Sequence, residues 1–99
     1  MKVEWVTAAQ EDRDNIVDYI AAENPRAAIE MDELFSKVVS KLGKFPMLGH
    51  VGIVPGTREL IPHASYRLIY EVDPETDTVW IMGLVHTARL WPSVSNDTG

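Results

Sequence analysis

Residues 66–86 constrain this chain more tightly than any other segment, because they read as two strands that must lie antiparallel. Tyr66-Arg67-Leu68-Ile69-Tyr70-Glu71-Val72 alternates, with Tyr66, Leu68, Tyr70 and Val72 on one face and Arg67, Ile69 and Glu71 on the other. Asp73-Pro74-Glu75-Thr76-Asp77 is turn chemistry, and Thr78 to His86 forms the second strand. So short a connection cannot carry a parallel crossover. A third strand, Thr57 to Ile61, precedes them and stops near Pro62. Arginine and histidine stand on these strands where buried strands would carry valine or leucine. One face of the sheet is therefore expected to meet an anion, either a carboxylate-rich partner or phosphate.

The first half of the chain is helical. After a short strand candidate at Val3 to Val6, Thr7 offers an N-cap with Gln10 in capping-box position. Ala9, Ile16, Val17 and Ile20 share a weakly patterned face. Asn24 and Pro25 then close one helix and open the next, as N-cap and first-turn proline. In the second helix Ala28, Met31, Phe35, Val38 and Leu42 recur at three- and four-residue spacing, flanked by Leu34 and Val39. Gly43 is its expected stop. Residues 43–56, with Gly43, Gly49, Gly52, Gly56, Pro46 and Pro55, read as an ordered loop. The spacing predicts an α+β domain over residues 1–93, a helical hairpin on a small antiparallel sheet, with a polar, frayed tail at 94–99.

Composition narrows the function classes. The 99 residues suit one domain. With no cysteine, disulfides, thiolate chemistry and thiolate metal sites are excluded. His50, His63 and His86 lack metal-ligand spacing, and the glycines of the loop match no phosphate-cradling pattern, so neither metal nor cofactor is expected. No apolar run approaches the roughly 20 residues needed to span a bilayer. A cytoplasmic location without a membrane partner is the expectation. The net charge of −6 argues against nonspecific nucleic-acid binding. Its distribution is uneven: residues 36–72 hold Lys37, Lys41, Lys44, Arg58 and Arg67 against Glu59 and Glu71, between two acidic ends.

Asp18-Tyr19-Ile20 before Asn24-Pro25-Arg26-Ala27-Ala28, the Phe45-Pro46-Met47-Leu48-Gly49 loop and Val54-Pro55-Gly56-Thr57-Arg58-Glu59-Leu60 follow one another in order. Ser65-Tyr66-Arg67-Leu68-Ile69-Tyr70-Glu71-Val72 and Val85-His86-Thr87-Ala88-Arg89-Leu90-Trp91-Pro92 complete the set. In this order the chain resembles the RelE/ParE superfamily of toxins from bacterial type II toxin–antitoxin systems. The resemblance implies a RelE-like fold and a growth-inhibiting toxin neutralised by a cognate antitoxin. Two targets divide the superfamily: RelE-like members cut messenger RNA on the ribosome without a metal, whereas ParE-like members inhibit DNA gyrase. Arg67 resembles the phosphate-contacting arginine of the nucleases, and Arg58 stands where they place a lysine. However, Leu60 occupies the position of a second lysine, and no tyrosine follows Tyr70. These departures and the acidic charge lean toward the ParE-like reading. A ribosome-dependent endonuclease is the alternative, and a non-toxic member serving only as antitoxin partner is a third.

Four residues are candidates for nuclease chemistry: Arg67, His86, Arg58 and Arg89. Arg67 could grip phosphate and stabilise developing charge, or could form an ion pair with Glu59 or Glu71. Arg58 and Arg89 could extend its patch or bind antitoxin carboxylates, since a guanidinium fork suits both. His86 could act as general acid or base, with His63 as a distant second group; alternatively, it positions the turn at Trp91-Pro92. Trp91 and Trp80 could stack on a base or simply pack. Arg58, Arg67, Arg89 and Trp91 are the candidate contacts to antitoxin or target.

Overall fold

The structure is a computed structural model and describes residues 1–92; the tail expected at 94–99 lies outside them. Five strands and two helices follow in the order β1 (Lys2–Trp5), α1 (Thr7–Ala21), α2 (Pro25–Lys44), β2 (His50–Val51), β3 (Arg58–His63), β4 (Tyr66–Asp73) and β5 (Thr78–His86). The sheet order is β1-β5-β4-β3-β2. β3, β4 and β5 are antiparallel, as the turn chemistry requires, and β2 adds antiparallel to β3. β1 instead pairs parallel with β5, so the sheet is mixed rather than wholly antiparallel. The intervening chain, both helices and β2 to β4, is long enough to bring β5 back parallel beside β1. Among the described residues no helix is long and apolar enough to cross a membrane.

Cross-strand partners share a face, so the register sorts the side chains. Leu68, Tyr70, Val79, Ile81 and Leu84 join Ala9, Phe35, Val39 and Leu42 in one core between the sheet and the helices. Val39, rather than Val38, is the residue of that stretch of α2 that reaches full burial. The alternation of β4 fails at its centre, where Leu68, Ile69 and Tyr70 are all buried. A register shift between Ile69 and Tyr70 marks a bulge against β5, and the chain after β5 covers the second face (below).

Local capping follows the expectations in part. The Asn24 side chain accepts a hydrogen bond from the Ala27 N–H (3.1 Å), with Pro25 in the first turn. The capping box at Thr7 does not form: Val6 holds the N-cap position and Thr7 is already helical. The Val6 N–H donates to the Ile81 carbonyl (3.0 Å) and its carbonyl accepts from the Gln10 N–H (3.0 Å), so the end of the β1–β5 ladder sets the start of the helix. Gly43 lies inside α2, which ends at Lys44. Its lack of a side chain serves packing instead, because a Cβ there would come within 2.8 Å of the Met1 carbonyl.

Arg13 ties the hairpin together. Its Nε donates to Asp32 Oδ1 (2.8 Å), and its Nη2 donates to the Asp32 carbonyl (2.9 Å) and Ser36 Oγ (2.6 Å). The guanidinium also sits 5.0 Å from the centre of the Trp5 ring, a cation–π distance. At the β4–β5 turn, Asp73 accepts from the Glu75 N–H and the Thr76 hydroxyl. The Thr76 bond chiefly holds this carboxyl below the usual range.

Candidate functional site

Where β1 ends, β5 continues: β1 pairs only with Thr78 to Ile81, so among the described residues the outer edge of β5 has no strand partner from Met82 to His86. An unpaired edge exposes backbone donors and acceptors. Asp12 of α1 answers one of them, its Oδ2 accepting from the Leu84 N–H at 3.1 Å. Beyond His86 the chain turns back across the face opposite the helices. There Trp91 packs on Gly83, so closely that a methyl group at Gly83 would collide with the indole. Between α1, the free edge of β5 and this returning segment lies a groove of about 850 Å³, whose polar lining includes Asp12, Asn15, Tyr19, Tyr66, His86 and Arg89. That is the size range of ligand sites.

His86, Arg89 and Trp91, all expected at the site, line this groove. Arg67 lies alongside, but its charge is committed. Its Nη1 donates to Glu59 Oε1 at 2.8 Å, and its Nη2 donates to the Arg89 carbonyl. The Arg67 and Glu59 side chains are only 13% and 8% exposed. The ion pair with Glu59 is thus present and is buried rather than superficial. Glu59 also receives the Ile53 N–H at 3.4 Å, with His50 Nε2 3.9 Å away.

Arg58 does not extend this patch. Register pairs Arg58 with Tyr70, on the helix side, and Glu59 with Ile69, on the opposite side. Successive strand residues face opposite ways, which separates Arg58 from Arg67. The Arg58 guanidinium instead donates to the carbonyls of Gly49 (2.7 and 3.1 Å) and Met47 (3.4 Å). The Tyr70 hydroxyl completes this clasp, receiving the Gly49 N–H and donating to the Pro46 carbonyl, both at 2.8 Å.

The histidines are arranged differently from expectation. His63 pairs across β3–β4 with Tyr66, and Tyr66 pairs across β4–β5 with His86. Each imidazole centre is 6.0 Å from the Tyr66 ring centre, and Phe35 meets Tyr66 edge-on from α2 at 5.9 Å. His63 Nδ1 accepts from the Ser65 N–H and His86 Nδ1 from the Ala88 N–H, both at 3.1 Å. An accepting Nδ1 places the ring proton of the neutral form on Nε2. Both rings therefore carry matching tautomers on either side of one phenol.

Asp12, Tyr66 and the buried role of Glu59 escape sequence reasoning. Asp12 reads as one of several acids near a helix start, and the Leu84 N–H it serves is 72 residues away. Burial raises the Asp12 carboxyl above its ordinary range; the Leu84 N–H pulls it back, and the charge of Glu11 adds to the rise. A raised folded-state pKa means that ionised Asp12 weakens the fold, a cost that appears as pH rises through the carboxylate range and is relieved as pH falls. Asp12→Asn keeps an acceptor for Leu84 without the charge. It should therefore gain stability relative to the wild type at about pH 7 and lose that advantage toward about pH 4. Urea midpoints at both values check this; a constant difference between the two proteins contradicts it.

Comparison with known proteins agrees with this architecture. Residues 3–91 match the family model described as the ParE toxin of the type II toxin–antitoxin system, parDE. A candidate toxin of Sinorhizobium fredii, Y4kP, is 27% identical over 94 residues, covering 94% of this chain and 95% of the relative. Among solved structures, the chromosomal ParDE system from P. aeruginosa superposes with a TM-score of 0.75 at 21% identity, covering 87% of this chain and 95% of that one. The RelBE2 toxin–antitoxin complex from Mycobacterium tuberculosis superposes with a TM-score of 0.59 at 25% identity, covering 86% and 95%. With the family model spanning nearly all of its described residues, the chain belongs to the ParE toxin family of type II toxin–antitoxin systems.

Proposed function

We propose that this ParE-family toxin arrests growth by binding a protein target, DNA gyrase being the expected one, and that a cognate antitoxin holds it inactive. The observation carrying this reading is the internal neutralisation of Arg67. A ribosome-dependent nuclease needs cations aimed outward at phosphate, since phosphate neutralisation dominates such affinity. Here Arg67 is turned onto Glu59 and Arg58 is spent on loop carbonyls on the other side of the sheet. The net charge of −6 supports the same reading. Similar solved structures include ParDE and RelBE2 toxin–antitoxin assemblies, which supports an antitoxin partner here.

One feature favours the nuclease alternative: His63 and His86 flank Tyr66 with Nδ1 fixed, and His86 shares its groove with Arg89. Pulse-labelling of DNA and protein synthesis after induction separates the two. Gyrase poisoning predicts that DNA synthesis falls, with double-strand breaks, while protein synthesis continues at first. An immediate stop in protein synthesis with cleaved ribosome-bound message would establish the nuclease instead.

A further inference from the structure

The segment 87–91, which turns back across the sheet, is tied down at one corner. The Thr87 N–H donates to the Ser65 carbonyl at 2.8 Å, and the Thr87 hydroxyl donates to the Ala64 carbonyl at 3.2 Å. The Arg89 N–H donates to the His86 carbonyl at 2.9 Å. These bonds join the end of β5 to the turn between β3 and β4. Two imidazoles set the shape of that corner. His63 Nδ1 accepts from the Ser65 N–H on one side, and His86 Nδ1 accepts from the Ala88 N–H on the other. Farther along, Arg67 Nη2 donates to the Arg89 carbonyl and Trp91 lies on Gly83.

Both imidazole contacts need an unprotonated nitrogen. A neutral imidazole has one donor and one acceptor nitrogen, whereas its cation has two donors. On protonation Nδ1 carries a hydrogen of its own and faces the backbone N–H with nothing to accept. Histidine side chains gain this proton between about pH 8 and pH 5. No carboxylate offsets the new charge, since among the described residues neither His63 nor His86 forms an ion pair. The titratable group between them is Tyr66, 6.0 Å from each ring, so the two charges arise on either side of one phenol. The groove that His86 lines adds Asp12 and Tyr19 from α1 and Arg89 from the segment itself. Arg89 opposes a second cation, and Asp12 is engaged by the Leu84 N–H.

We infer that His63 and His86 form a proton-operated latch on the segment 87–91. Neutral, they hold the segment closed over the sheet; protonated, they release it. The two act together, because Thr87 bonds across the corner that both of them shape. Opening lifts the Arg89 carbonyl from Arg67 and Trp91 from Gly83, so acid uncovers the sheet face that carries the Arg67–Glu59 pair. Protonation of clustered histidines is a recurrent way to flip a two-state contact. The latch belongs to the fold and operates whether the target is a protein or a message.

Amide hydrogen exchange on the full isotope-labelled chain tests the latch, because protection reports local opening. Protection factors, corrected for the intrinsic exchange rate, are compared at about pH 7.5 and about pH 5.5. Each lost hydrogen bond is worth about fivefold, so protection at Thr87 and Arg89 should fall by more than about tenfold in acid. Protection at Val39 of α2 and Ile69 of β4 should hold, and the Trp91 indole resonance should shift with the same midpoint. His63→Asn with His86→Asn separates the latch from other acid effects. Asparagine offers an oxygen to the N–H two residues on and does not titrate, so the double variant should stay protected at the lower pH. Each single variant should show a fall of about fivefold. His50→Gln, which removes the histidine beside Glu59, should behave as the wild type. Undiminished protection at Thr87 and Arg89 in the acidified wild type would overturn the latch. An equal acid loss in the double variant, or a full wild-type response in both single variants, would assign the effect to other groups and overturn it too. So would a loss shared by Val39 and Ile69, which would mean general unfolding.

Discussion

Glu59→Ala is expected to destabilise the protein by about 3–5 kcal/mol, the range seen when one partner of a buried ion pair is removed. Glu59 and Arg67 are almost wholly enclosed and 2.8 Å apart, and Arg67 Nε is already buried without a hydrogen-bond partner among the described residues. Without Glu59 the guanidinium keeps, among the described residues, only the Arg89 carbonyl, and its uncompensated charge must stay buried or drag the 89–91 segment open. The same logic predicts that replacing both members, Glu59→Leu with Arg67→Met, recovers much of the loss, because two apolar groups need no desolvated charge. Guanidinium unfolding followed by tryptophan fluorescence checks both variants. A loss below about 1 kcal/mol for Glu59→Ala would indicate a solvent-screened pair and contradict the burial argument. The pair also bears on function, since wherever Arg67 is to meet an external anion it must first leave Glu59.

Phe35→Ala is expected to cost about 3–5 kcal/mol, as for other large aromatic truncations in cores. Phe35 is completely buried between α2 and the sheet. Its loss also removes the edge-on support of Tyr66, which stands between His63 and His86. Denaturant unfolding measures the first effect. Histidine ring resonances measure the second, which should move at both His63 and His86. A stability loss with both rings unmoved would show that the three-strand row holds itself in place without Phe35.

Much of the fold is legible in the sequence because its signals are local. Asn24-Pro25 caps a helix through contacts within three residues, and Asp73 to Asp77 forces the β4–β5 hairpin. The core stripe of α2 follows from helical periodicity, with one residue of drift between Val38 and Val39. Signals fail where a distant element decides. Thr7 is displaced from its cap by the ladder bond between Val6 and Ile81. Gly43 is needed for the approach of Met1 rather than for a helix stop. The parallel pairing of β1 and the addition of β2 at the far edge depend on partners more than five residues away in sequence.

The candidate site divides the same way. Residue types on β3 to β5 and the ordered motifs from Asp18 to Pro92 determine the family and mark Arg67, His86, Arg89 and Trp91 for attention. Register and burial decide what those residues can do. Adjacent residues in a strand face opposite ways, so Arg58 and Arg67 could be assigned to opposite faces only once their pairing with Tyr70 and Val85 was known. Asp12 acquires its role from a backbone N–H that α1 meets only after the chain has crossed the sheet. The sequence by itself determined the two helices, the β-hairpin and the toxin family, because these rest on local spacing and residue order. Only the tertiary structure decided which cationic groups are engaged, because each is held by whatever lies beside it in space: the Glu59 carboxylate for Arg67, loop carbonyls for Arg58, and no carboxylate of the described residues for Lys37 and Lys41.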